Sequence, residues 1–137
     1  MKTVLFACVH NAGRSQMAAA WFNALVDPAL ARAVSAGTEP GDRVHPEVVA
    51  AMREVGIDLS SMRPQRLTDD VAREAVLLVT MGCGDACPLV PGARVEDWSL
   101  QDPKGQSMET VRGIRDDIHA RVADLVAREG VARQLPR

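Results

Sequence analysis

The residues from Cys8 to Ser15 combine a thiol, small flexible side chains and a guanidinium group. They read Cys-Val-His-Asn-Ala-Gly-Arg-Ser, and they follow a short apolar run that is typical of a buried strand. A loop that turns from a strand into the start of a helix points successive backbone N–H groups inward, which creates a binding site for oxyanions. We therefore expect a tetrahedral oxyanion to be surrounded by Val9, His10, Asn11, Ala12, Gly13, Arg14 and Ser15.

Cys8 is the candidate nucleophile of this loop. A helix N-terminus and a neighbouring cation both favour the thiolate form of a cysteine. The planar guanidinium of Arg14 can donate to two oxygens of the same oxyanion. Gly13 is free to adopt a positive φ, and Asn11 tolerates one better than most residues. The alternative is that Cys8 is an inert buried thiol and Arg14 an ordinary surface residue.

Three further residues are candidates for moving or donating a proton. A thiolate that attacks an oxyanion needs an acid to protonate the departing oxygen, and Asp102 is the candidate. Pro103 restricts Asp102 to extended conformations, although Asp-Pro is also a common turn. His10 is a candidate base, but a loop histidine is more often solvated or structural. Ser15 either donates to the Cys8 sulfur or only caps the following helix.

Two more thiols, Cys83 and Cys87, flank a short glycine-containing segment. One helical turn would bring their Cα atoms within the roughly 4.4–6.8 Å that a disulfide requires. A phosphatase needs one cysteine, whereas the two-electron reduction of a bound oxyanion needs two thiols and leaves a disulfide. Three thiols permit a relay in which Cys83 attacks Cys8 and Cys87 then attacks Cys83. Zinc is the competing use, but a structural zinc site requires four ligands and the histidines are scattered, so we expect no metal.

The composition is that of an ordinary globular protein, with 137 residues, 47% of them hydrophobic and 25% charged. The formal net charge of −2 provides no basic surface for nucleic acid or an anionic membrane. No apolar run approaches the ~18 residues of a membrane span, and the first run is too short for a signal peptide. We expect a cytoplasmic monomer with one domain over residues 1–137 and an ordered core of about 2–128.

Alternating strands and helices predict a parallel sheet with helices on both faces. In such a fold the carboxyl ends of the strands meet at one edge, where ligands bind. Cys8, Cys83 and Asp102 each follow a predicted strand, so we expect them at that edge. The predicted strands are 4–8, 33–37, 75–80 and 94–98, and the predicted helices begin near 15, 46, 68 and 107.

These pieces together resemble the three-cysteine arsenate reductases that share the low-molecular-weight protein tyrosine phosphatase fold. The resemblance rests on residues 8–18, 35–37, 54–60, 79–83, 87–88, 97–98 and 102–103, and it extends from residue 2 to about 128. It implies a single doubly wound α/β domain with a four-stranded parallel sheet. It also implies that arsenate is reduced to arsenite, with no cofactor and with thioredoxin as the usual reductant. The implied roles are Cys8 as nucleophile, Arg14 as oxyanion ligand, Asp102 as acid, and Cys83 and Cys87 as the relay.

The chain departs from this pattern in ways that leave other functions open. The two relay cysteines are closer together than in better-known members, so a mycothiol or glutaredoxin route is an alternative to thioredoxin. Some members hold potassium with acidic ligands, but here Ala19 and Gln65 stand at the corresponding positions, which leaves only Asn11 and Ser35. Hydrolysis of phosphomonoesters or phosphotyrosine in the same loop is the second functional hypothesis. The third is a non-enzymatic sensor that binds arsenite or a soft metal through the two downstream thiols.

Overall fold

The computed structural model describes residues 1–82 and 92–133, and this part of the chain contains four strands and four helices. No helix in these two ranges has the length and the apolar character needed to cross a membrane. The elements, in chain order, are β1 (Lys2–Cys8), α1 (Arg14–Leu25), β2 (Ala31–Gly37), α2 (Pro46–Arg53), α3 (Asp69–Arg73), β3 (Leu77–Thr80), β4 (Arg94–Asp97) and α4 (Met108–Arg128).

The four strands form one parallel sheet in the order β2-β1-β3-β4. The predicted fold class, a doubly wound four-stranded parallel sheet, is therefore confirmed. β1 is the first strand in the chain but lies inside the sheet, between β2 and β3. Its last residue, Cys8, pairs with Gly37 at the end of β2. The candidate nucleophile loop, residues 8–15, consequently leaves the middle of the sheet at its carboxyl edge.

The two faces of β1 are buried against different helices because successive side chains of a strand point in opposite directions. Val4, Phe6 and Cys8 belong to the larger core cluster, which includes buried side chains of α1, α2 and α4. Leu5 and Ala7 belong to a smaller cluster on the other face, where Ala72 of α3 packs. Both faces of β1 are thus apolar, which explains why its sequence is a continuous apolar run.

Helix boundaries follow the signals in the sequence with small differences. Ser107 caps α4 by accepting a hydrogen bond from Thr110 N at 3.2 Å, and Pro46 lies in the first turn of α2. α1 begins at Arg14, one residue before the predicted start, and ends at Leu25, because Val26 is already extended and bridges to Ala132.

The predicted third strand also starts too early. β3 begins at Leu77 rather than residue 75, because Ala75 N donates to Ala72 O in the turn that ends α3.

Candidate active site

Cys8 is buried, with 2% of its surface exposed, and its sulfur lies within a cluster of polar groups. Asn11 N donates to Cys8 Sγ at 3.3 Å, and Ser15 Oγ lies 2.8 Å from the same sulfur. Ser15 Oγ accepts a hydrogen bond from Asn11 Nδ2 at 2.7 Å, so its own hydrogen is available for the sulfur. Of the two interpretations of Ser15, helix capping is wrong: Gly13 is the N-cap of α1.

The backbone between Cys8 and Ala12 turns its carbonyl groups away from the sulfur. Five consecutive carbonyl oxygens, those of residues 8–12, accept hydrogen bonds from outside the loop: the Asn11 oxygen from a side chain and the other four from backbone N–H groups. The four backbone donors belong to Thr38, Glu39, Gly41 and His45, at 2.8–3.2 Å. Because each peptide N–H points roughly opposite to its C=O, this outer layer of bonds leaves the loop's N–H groups directed inward, as an oxyanion site requires.

The loop can lie this close to β2 only because residue 37 is a glycine. A Cβ atom at Gly37 would come within 2.5 Å of Val9 O and 2.9 Å of Asn11 N. Both atoms belong to the backbone, so no side-chain rotation relieves the contact. Gly37 therefore allows the backbone of the nucleophile loop to pack directly on the end of β2.

The expectation of positive φ angles in the loop is confirmed at one position and wrong at the other. Asn11 has φ 51°, the one non-glycine residue with positive φ in the described chain. Gly13 has φ −143°, which is not in the left-handed region. The absence of a side chain matters there for another reason: a Cβ at Gly13 would lie 2.7 Å from Pro103 Cγ. Gly13 thus lets the loop that carries Asp102 approach the nucleophile loop.

Arg14 is the first residue of α1, and its side chain is 10% exposed. Nη1 donates to Leu100 O at 3.4 Å, and Nη2 lies 3.9 Å from Asp102 Oδ2. Gly82, just after β3, has φ 92°, and a Cβ there would be 2.7 Å from Arg14 Nη1. The guanidinium is therefore held between the ends of β3 and β4, beside the loop that carries Cys8.

Asp102 and His10 both take part in local structure. Asp102 Oδ1 accepts from Lys104 N at 3.0 Å, which is the turn interpretation, while Oδ2 faces Arg14. The structure thus brings Asp102 to the edge of the site. Its contact within the turn is compatible with its predicted role as an acid, because the two use different carboxyl oxygens. His10 Nδ1 lies 2.9 Å from Glu39 O, and because a carbonyl only accepts, Nδ1 carries the hydrogen.

Cys83 and Cys87 lie outside the described residues. The chain leads toward the site just before them: Met81 N donates to Ala7 O at 2.8 Å, and Gly82 borders Arg14. Within the described ranges, no group of three or more His, Cys, Asp or Glu side chains is placed to hold a metal ion.

Sequence reasoning missed Gln16, which is 2% exposed on the buried side of α1. Its Nε2 donates to Asn11 O and Asn11 Oδ1, each at 3.1 Å, and lies 3.4 Å from Arg63 O. Gln65, a position without an acidic side chain, also contacts Asn11. Its backbone N donates to Asn11 Oδ1 at 2.9 Å, and its Nε2 donates to Ser35 O at 2.7 Å. At the position of the potassium site of some family members, the amide groups of Gln16 and Gln65 thus donate to oxygens of Asn11 and Ser35.

Residues 3–136 match the family model described as "Low molecular weight phosphotyrosine protein phosphatase". The chain belongs to this family. It is 44% identical over 126 residues to a "Putative arsenate reductase" of Halobacterium salinarum, covering 88% of this chain and 87% of the relative. It is 38% identical over 131 residues to the "Glutaredoxin arsenate reductase" of a Synechocystis species, covering 93% and 98%. The resemblance to arsenate reductases with the phosphatase fold is thereby confirmed.

A solved structure adds the same comparison at the level of the fold. The thioredoxin-dependent arsenate reductase Cg_ArsC1' of Corynebacterium glutamicum aligns with a TM-score of 0.82 and 38% identity. The alignment covers 93% of this chain but 61% of that protein, so this chain spans less than two thirds of its length.

Proposed function

We propose that this family member reduces arsenate to arsenite with Cys8 as the nucleophile. The observation that carries the proposal is the buried Cys8 sulfur, which contacts Asn11 N and Ser15 Oγ inside a loop whose N–H groups point inward. The relatives that cover most of this chain and bear arsenate reductase names support arsenate as the oxyanion.

The first step joins the sulfur to arsenic. Arsenate binds in the loop, where the inward N–H groups and the Arg14 guanidinium offset its negative charge. Cys8 Sγ attacks arsenic, an S–As bond forms and one As–O bond breaks. Asp102 is proposed to give the departing oxygen its proton, because its carboxyl group reaches the same edge of the site as Arg14.

The second step reduces arsenic and oxidises two thiols. Cys83 attacks Cys8 Sγ, an S–S bond forms, and the S–As bond breaks with its electron pair left on arsenic, which departs as arsenite. Cys87 then attacks Cys83, which frees Cys8 and leaves a Cys83–Cys87 disulfide. Both downstream cysteines lie outside the described residues, so this step rests on the number and order of the thiols in the chain.

A thiol–disulfide partner must reduce the final disulfide to complete the cycle. We propose thioredoxin, because the similar Corynebacterium glutamicum enzyme is thioredoxin-dependent. The glutaredoxin arsenate reductase of Synechocystis makes glutaredoxin the first alternative, and mycothiol is the second. The enzyme is proposed to work as a cytoplasmic monomer, as one domain over residues 1–137.

Coupled NADPH oxidation tests the proposal. With thioredoxin and thioredoxin reductase, arsenate should drive NADPH oxidation, and Cys8→Ser should abolish it. Parallel assays with glutaredoxin plus glutathione and with mycothiol identify the partner. Arsenite release by folded Cys8→Ser would place the nucleophile elsewhere. Absence of arsenate-dependent turnover with all three reductants would reject the proposal.

Phosphomonoester hydrolysis is the second candidate, because the family model is that of a phosphatase and the loop suits any tetrahedral oxyanion. A phosphotyrosine substrate is disfavoured: Phe6, Phe22, Trp21 and Trp98 are all buried, and the chain has no tyrosine. Hydrolysis of p-nitrophenyl phosphate should survive Cys87→Ser, while arsenate turnover should not. Equal loss of both activities would indicate misfolding instead of two separable chemistries.

A further inference from the structure

Gln16 and Asn11 are two buried polar side chains next to the nucleophile, with 2% and 0% of their surfaces exposed. Asn11 is also the residue with the left-handed backbone, φ 51°. Such a conformation is unfavourable for a residue with a side chain unless its surroundings hold it. Gln16 supplies part of that support, because its Nε2 donates to both Asn11 O and Asn11 Oδ1 at 3.1 Å.

The direction of these hydrogen bonds follows from backbone groups that have only one role. Gln65 N can only donate, so the Asn11 atom that faces it at 2.9 Å must be the amide oxygen. The Asn11 NH₂ group then faces Ser15 Oγ at 2.7 Å as a donor. Since Ser15 Oγ accepts this bond, its hydroxyl hydrogen is directed to Cys8 Sγ.

The result is a chain of donors that starts at Gln16 and ends at the sulfur. Gln16 donates to Asn11, Asn11 donates to Ser15, and both Asn11 N and Ser15 Oγ are in contact with Cys8 Sγ. Every bond in this chain presents hydrogen toward the thiol, and this arrangement favours the thiolate over the protonated form. We propose that Gln16 is a positioning residue for the Cys8 thiolate, acting through the left-handed conformation of Asn11.

This inference rests on the proposed role of Cys8 as nucleophile, but its test needs no arsenate. The probe is iodoacetamide, which reacts with thiolates, and the readout is the mass of the peptide that contains Cys8 as a function of pH. The variant Gln16→Met replaces the amide with a side chain of similar length that has no hydrogen-bond donor. The pH midpoint of Cys8 alkylation should rise by about one unit, the size expected when a hydrogen bond to a charged group is weakened.

Phe22→Leu is the matched control, because Phe22 is a fully buried core residue of the same helix and takes no part in the chain of donors. It should lower the melting temperature without moving the alkylation midpoint. Gln16→Asn provides a second variant in case Gln16→Met does not fold, since the shorter amide remains polar but does not span the same distance. It should shift the midpoint in the same direction.

Asn11→Gly separates action through Asn11 from a general effect on packing. Glycine adopts positive φ without steric cost, so residue 11 no longer needs the support of Gln16, and it has no side-chain oxygen for Gln16 to hold. In the Asn11→Gly background, Gln16→Met should therefore shift the midpoint much less than in the natural sequence. An equal shift in both backgrounds would overturn the proposal, as would an unchanged midpoint in folded Gln16→Met. If these shifts appear but the natural protein reduces no arsenate, the proposed function fails and this inference stands.

Discussion

Substitution of Gly82 by alanine tests how closely the end of β3 confines Arg14. The added Cβ would lie 2.7 Å from Arg14 Nη1 and 3.5 Å from its Cζ. The same guanidinium contacts Leu100 O at 3.4 Å and Asp102 Oδ2 at 3.9 Å. The new methyl group must therefore push the guanidinium within a space that is already enclosed on two other sides.

The size of the displacement sets the expected loss of activity. Ordinary contact with a Cβ begins at 3.4 Å, so Nη1 must retreat by 0.7 Å, the difference between 3.4 and 2.7 Å. A misplacement of about 1 Å in a group that binds the reacting atoms can cost about 10²-fold in rate. Loss of one charge-assisted hydrogen bond, about 1.5–3 kcal/mol, corresponds to about 10–100-fold. We expect kcat/KM for arsenate to fall by about 10–100-fold, with inhibition by phosphate weakened in parallel.

Gly92→Ala is the matched control for backbone strain. Gly92 has φ 86°, close to the 92° of Gly82, but a Cβ there meets no atom of the described residues within 4 Å. Both variants should lose about 1–2 kcal/mol of stability, because alanine is placed in a left-handed region. Only Gly82→Ala should lose oxyanion binding, measured by arsenate turnover and by phosphate competition. Natural activity in Gly82→Ala, or equal loss in Gly92→Ala, would refute the reasoning about Arg14.

Two other predictions concern the proposed acid and a distant ion-pair cluster. Asp102→Asn removes the proton donor, so the first step should slow while phosphate still binds. Stopped-flow measurement of the first turnover tests this, and an unchanged rate would leave Asp102 with only its turn role. Glu54 has its pKa lowered from 4.5 to about 2, first by a hydrogen bond from Arg112 and then by one from Arg115. The folded pKa lies below the unfolded one, so this stabilisation is present above about pH 4.5 and is lost as the pH falls toward 2. Glu54→Gln should therefore lower the urea midpoint at pH 7, with the difference narrowing in acid. A difference that does not vary with pH would contradict the ion-pair explanation.

The sheet could be predicted from the sequence because parallel strands covered on both faces read as short apolar runs. β1 and β3 are of this kind, and both were found. β4, at the edge of the sheet, is largely exposed and carries Arg94 and Asp97, so its own residues indicate a strand only weakly. Strand ends were less accurate, because the turn after α3 keeps Ala75 out of β3.

The nucleophile loop was predictable in outline, since the order of Cys8, small residues and Arg14 is a local signal. The left-handed Asn11 followed from the tolerance of asparagine for that conformation. The reason for a glycine at position 13 was missed. The absence of a side chain there leaves room for Pro103, which is far away in the chain. Gln16 was missed for a similar reason: a glutamine inside a helix becomes informative only when the fold brings Asn11 and Arg63 to its amide.

The proposed reduction mechanism requires the disulfide to pass from Cys8 to the two downstream thiols. Reduced Cys87→Ser should be mixed with excess arsenate without a reductant, then digested under non-reducing conditions for mass mapping of disulfides. We predict about one arsenite per protein and a disulfide between Cys8 and Cys83, whereas the natural protein should form Cys83–Cys87. Sustained turnover of Cys87→Ser with thioredoxin, or a Cys87→Ser product in which Cys8 has formed no disulfide, would contradict the account.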